Sequence, residues 1–163
     1  MKTHSPALAA VIISLFLGAC STTVVQRQEI PDSIRLNLSL KDVKSKLASS
    51  VIAPSDTNLR LERAVLNAAT GKGINGKAPA KLSITVTSYS IVSGGARFFA
   101  GAFAGSNTIS AAVEVLDAQT GGIIGQFDVQ RDANPGGYGV FFDQDQATID
   151  SLAEGIVAAL FGT

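Results

Sequence analysis

The chain has 163 residues, with 13 basic and 13 acidic side chains, a single histidine (His4), a single cysteine (Cys20) and no tryptophan. No basic block stands out that could neutralise a phosphate backbone, so nucleic acid is not an expected partner. One cysteine excludes an intramolecular disulfide. From residue 20 onward there is no histidine, which excludes a His-based triad, a Cys–His pair and an ordinary His/Cys zinc site within that part of one chain.

The start of the chain carries the most specific signal. The amino terminus and Lys2 precede an eleven-residue apolar run, Ala7 to Leu17, followed by Leu17-Gly18-Ala19-Cys20 and the polar Ser21-Thr22-Thr23. As a helix the run would span roughly 16 Å against about 30 Å of bilayer hydrocarbon, too short for a permanent span but suited to a signal h-region. Gly18 and Ala19 are small, as cleavage between Ala19 and Cys20 needs. Leu17 to Cys20 resembles the bacterial lipobox. That resemblance implies that residues 1–19 are a lipoprotein signal peptide and that Cys20 is lipidated, its sulfur by a diacylglyceryl group and its freed amino group by a fatty acid such as palmitate. Two or more acyl chains hold a protein on a membrane stably. The resemblance also implies, through Ser21 rather than Asp after the cysteine, an outer-membrane address with the domain facing the periplasm.

Residues 20–31 show no hydrophobic period and end at Pro31, which predicts a flexible lipidated tether before a single α/β domain over residues 32–163. In that domain Ile34, Leu36, Leu38 and Leu40 alternate with polar residues and predict a strand. Lys41 to Ser50 is ambiguous between an extension and a helical turn. Ser55 or Asp56 can cap a helix with Leu61, Val65 and Ala68 on one face, stopping by Gly71.

Gly71-Lys72-Gly73-Ile74-Asn75-Gly76 matches G-x-G-x-x-G. The motif signals a dinucleotide site only after a strand and before a helix, and here the predicted order is the reverse, so it reads as a glycine-rich turn. Further strands are expected from Leu82 to about Val92, from Thr108 to Leu116 and from Ile123 to Arg131, with a hairpin at Asp117–Gly122. The terminal helix shows a full stripe at three- and four-residue spacing, including Ile149, Leu152, Ile156 and Leu160. Asp143 and Gln146 suit a capping box at its start, and Gly162 suits its end. The acids Asp143 and Asp145 are those expected near a helix start from its dipole, so no metal site is assigned to them. The expected fold is α+β, in the order β-α-β-β-β-α, with a small, mainly antiparallel sheet and the helices packed on one face.

Residues 93–107 join two of these strands and hold three phenylalanines, four glycines and one charge, Arg97. They read either as an arm that fills the domain's own core or as an exposed apolar contact surface. On the second reading Arg97, Phe98, Phe99 and Phe103 are the candidate contact residues, joined by Tyr138 in a later glycine-rich loop.

Arg97 with Gly101 and Gly105, the D-x-x-T-G hairpin of Asp117, Thr120 and Gly121, and the closing amphipathic helix together resemble bacterial lipoproteins built on a domain of unknown function. The resemblance spans about Leu59 to Leu160. The element order is also similar to the small periplasmic domain of Tol-, curli- and peptidoglycan-synthase-associated envelope proteins. These likenesses imply interaction and assembly rather than catalysis, with a protein partner or self-association and no cofactor. The alternative is a carrier of a small apolar or lipid ligand. Neither S-x-x-K nor G-x-S-x-G occurs, so no catalytic residue is assigned. Replacing the lipid-bearing residue, Cys20→Ala, is expected to abolish incorporation of labelled palmitate and to leave unprocessed precursor; full labelling of that variant would refute the lipobox.

Overall fold

A computed structural model describes residues 20–72, 76–91, 106–133 and 144–162. Its elements are β1 (Cys20–Gln28), α1 (Asp32–Arg35), β2 (Leu38–Leu47), α2 (Thr57–Ala69), β3 (Ala78–Ser90), β4 (Asn107–Asp117), β5 (Ile123–Ala133) and α3 (Gln144–Phe161). The five strands form one sheet in the order β1-β5-β4-β3-β2. Only β2 and β3 run parallel; the other three pairings are antiparallel. A parallel neighbour requires a crossover of a dozen or more residues, and α2 provides it.

The core follows from side-chain alternation. Along β3, Ala80, Leu82, Ile84 and Val86 are buried, and along β4, Ile109, Ala111, Val113 and Val115. Phe127 and Val129 continue that face on β5. Helices α2 and α3 lie side by side against it, contributing Leu61 and Val65 from α2 and Ile149, Leu152, Ile156 and Leu160 from α3, all fully buried. Each such side chain contributes roughly 1.5–3 kcal/mol through burial. At the first turns of the helices, the Arg60 Nε donates to Gln146 Oε1 at 2.8 Å. Gly155 brings α3 close to the sheet: a Cβ there would lie 2.6 Å from the Thr22 methyl and 3.3 Å from a Val129 methyl.

The expected α+β class and one-face packing match this architecture, and two local expectations are corrected. Residues 20–28 form β1, paired along its length with β5, and are not a loose tether. An edge strand lying partly beyond the helices buries little, with Val24 37% and Val25 55% exposed, so it carries no clean apolar alternation. The strand expected from Ile34 begins later, at Leu38. The carbonyl of Pro31 accepts hydrogen bonds from the Ile34 and Arg35 N–H groups at 2.9 Å, closing the single turn α1. Leu36 is left 85% exposed. The observed order is therefore β-α-β-α-β-β-β-α, and the ambiguous Lys41–Leu47 stretch is strand.

Asp56 occupies the N-cap of α2 without a side-chain cap hydrogen bond. Gly71 and Gly162 follow α2 and α3 with positive φ, as expected of helix ends. Asp143 lies outside the described residues; Gln146 donates to Asp150 Oδ1 at 2.7 Å besides meeting Arg60. Gly76, the last glycine of the G-x-G-x-x-G string, packs against the start of β2. A Cβ at this position would run into the carbonyl oxygens of Asn37 and Leu38, so this glycine is required by backbone contact and not by a phosphate. Gly76→Ala is expected to lower stability by about 1–3 kcal/mol, measured by urea unfolding; unchanged stability would contradict this packing.

Candidate interaction surface

The alternation that buries one sheet face sends the other set of side chains to a face that carries no helix among the described residues. Its surface is polar, built from Thr85, Thr87 and Ser88 on β3, Ser110 on β4, and Gln126 and Gln130 on β5. The charges on it are mixed: Lys44, Lys46 and Asp42 on β2 and Lys81 on β3 lie toward one edge, whereas Glu114 on the central β4 and Asp128 and Asp132 on β5 lie with Arg27 of β1 toward the other.

Short polar contacts knit the acidic half together. Arg27 Nε on β1 meets Asp128 Oδ2 at 2.6 Å. Thr108 Oγ1 and Gln130 Nε2 donate to the two oxygens of Asp132 at 2.8 and 2.7 Å, and Gln126 Nε2 donates to Glu114 Oε1 at 3.2 Å. The Arg27 side chain is 64% exposed, so its ion pair is a surface pair that contributes at most about 1 kcal/mol. Two of the depressions among the described residues lie on this face. One, of about 470 Å³, is bounded by Thr23, Arg27, Thr87, Ser110, Asp128 and Gln130. The other, of about 230 Å³, lies among Arg27, Lys46, Thr85, Glu114, Gln126 and Asp128. Neither lies between the sheet and the helices, where an apolar carrier would hold its ligand. Among the described residues no group of His, Cys, Asp and Glu could hold a metal ion.

The two edges of the sheet differ. Strand β2 carries Lys41, Lys44 and Lys46 and a bulge between Leu40 and Asp42, devices that discourage pairing with another strand. Strand β1 is uncharged from Ser21 to Gln26 and rich in Thr and Val; its irregularity comes only after Gln26. It is the less protected edge.

Cys20 is the first residue of β1, in register with Ala133. Arg97, Phe98, Phe99, Phe103, Tyr138 and Ala19 lie outside the described residues. The uncovered face, the Arg27–Asp128 pair and the β1 edge were not legible from hydrophobic periodicity. The β-branched run Thr22–Val25 is the one local signal that could have marked β1 as a strand.

The D-x-x-T-G hairpin closes β4 onto β5 at the far end of the sheet. Asp117 Oδ1 accepts from the N–H groups of Thr120 and Gln119 at 2.8 and 2.9 Å and from the Thr120 hydroxyl at 3.1 Å. Gly121 supplies the positive φ. This is a structural turn, with every acceptor contact directed to its own loop.

With this geometry established, the chain is seen to belong to the family defined by a domain of unknown function, DUF4410, whose model matches residues 35–137. Comparison with curated proteins finds no match. Among solved structures it is similar to two forms of the PelC dodecamer from Paraburkholderia phytofirmans. One has a TM-score of 0.54 at 15% identity, covering 83% of this chain and 97% of that one. The other, a point variant, has a TM-score of 0.52 at 14% identity, covering 88% and 100%. A Xanthomonas campestris protein of the DUF330 family is similar at a TM-score of 0.48 and 14% identity, covering 76% and 83%. At these identities the likeness is one of fold.

Backbone hydrogen bonds from Thr120 and then Gln119 hold the Asp117 carboxyl below the ordinary aspartate pKa, outweighing slight desolvation. The stability it adds is present above the unfolded-state value and is lost as pH falls through the lowered folded value. The melting temperature of Asp117→Asn is therefore expected to lie below that of the wild type near neutral pH and to converge on it in acid. A gap that stays constant down to the acid limit would contradict the assignment.

Proposed function

We propose that this protein is a non-enzymatic, lipid-anchored protein of the bacterial envelope that works by self-association through the exposed edge of β1. The observation that carries the reading is that edge: Ser21 to Gln26 form an uncharged strand that, among the described residues, pairs with another strand on one side only. An unpaired strand is a template for another strand. Pairing of β1 with β1 of a second copy across a two-fold axis would join two five-stranded sheets into one and leave both polar faces uncovered. The PelC structures, which share the fold, are dodecamers; this supports assembly as a use of the fold without defining the contact.

Anchorage rests on the lipobox, with signal peptide 1–19 and lipid on Cys20. The Ser at position 21 favours the outer membrane, with the domain in the periplasm. No helix among the described residues is long and apolar enough to cross a membrane, so on this reading attachment is through lipid.

Size measurement by light scattering on the mature protein, with Cys20→Ser to keep it free of lipid, tests the reading. A reversible oligomer is expected, and the double substitution Thr23→Lys, Val25→Lys is expected to dissociate it with little change in melting temperature, since both side chains are exposed. A wild-type protein that stays monomeric at all concentrations, or a double variant that assembles unchanged, would refute it.

A further inference from the structure

The two edge strands are held to the sheet by unequal means. On β2, Leu38 and Val43 are buried in the core, and Leu40 and Leu47 pack against it. Strand β1 contributes no residue to the core or to the partly buried side chains around it. Residues 21–28 are all exposed, Val24 and Val25 included. Helix α3 meets the strand at the Thr22 methyl, opposite Gly155. Otherwise the backbone ladder with β5 holds it, helped by two exposed side-chain contacts. Arg27 Nε donates to Asp128 Oδ2 at 2.6 Å, and Arg131 Nη1 donates to Thr22 Oγ1 at 2.9 Å. Exposed contacts of this kind contribute little.

The core closes one step further along the chain. Ile30 is 2% exposed and seated against Gly125, where a Cβ would collide with its side chain. The Pro31 carbonyl then starts α1. Glu29 alone separates a strand that adds nothing to the core from a side chain locked into it. Elements with little buried apolar surface and exposed backbone hydrogen bonds open locally far more readily than the core does. Release of β1 would bare the edge of β5. That strand carries Asp128, Arg131 and Asp132, charges of the kind that keep a bare edge from pairing indiscriminately.

We propose that β1 is a detachable strand whose docking on β5 is controlled by self-association. The proposal rests on the pairing of β1 edges stated above. Such pairing needs β1 held in register on β5, so a second copy binds the docked state and draws the equilibrium toward it. Undocked, residues 20–29 are a tether with a root-mean-square reach of roughly 15–20 Å, which lets a lipid-held domain range away from the bilayer. Docked, Cys20 stands opposite Ala133 and the domain is drawn in to its anchor. Assembly and approach to the membrane are then one event.

Amide hydrogen exchange followed by mass spectrometry on the mature chain with Cys20→Ser tests this, with the β2 edge as internal control. At concentrations where the protein is monomeric, residues 22–28 are expected to exchange on the order of 100-fold faster than residues 42–47. Thr23 and Gln130 are partners in the register, and a disulfide between Thr23→Cys and Gln130→Cys is expected to remove that fast exchange. Raising the concentration until light scattering reports the oligomer is expected to slow exchange in β1 by about ten-fold or more and to leave β2 unchanged. Monomeric β1 that exchanges as slowly as β2, or that ignores the disulfide, would overturn the detachable strand and leave the edge pairing standing. Fast exchange that persists in the oligomer would overturn the coupling and the β1 contact together. Protein that stays monomeric while β1 exchanges fast would overturn the coupling through failure of the pairing itself.

Discussion

The whole architecture depends on one apolar sheet face being covered by two helices. Small and medium side chains alternate along β3 and β4, and α2 and α3 bring the matching stripe. Once that layer is sealed, the remaining features are constrained. The second sheet face is largely polar, and no helix among the described residues covers it. Helix α3 must approach closely over β1 and β5, which makes a side chain at position 155 costly. The crossover through α2 must return its chain beside β2, which brings Gly76 against the Asn37 and Leu38 carbonyls.

The same constraint separates two kinds of surface. Several side chains on the second face are tied to one another by short hydrogen bonds and the Arg27–Asp128 pair. The edges are different, since backbone groups there cannot be made nonpolar or removed. Lysines and a bulge guard β2, whereas β1 has little protection.

Hydrophobic spacing alone located β3, β4, β5, α2 and α3 to within a few residues, because each buries one side and shows the other, and the period records that asymmetry. The Asp117–Gly122 hairpin was also legible, since its turn is made by its own residues. Strand β1, the α1 turn and the true start of β2 were not. Residues 20–28 become a strand only because β5 offers hydrogen bonds at a distance of about a hundred residues in sequence. Leu36, apolar and in phase with a strand, is turned outward by the helical turn that begins at Pro31. Which side chains share the second sheet face and which edge is guarded depend on strand order and direction. Those are set by long-range pairing and packing, for which local sequence carries no period.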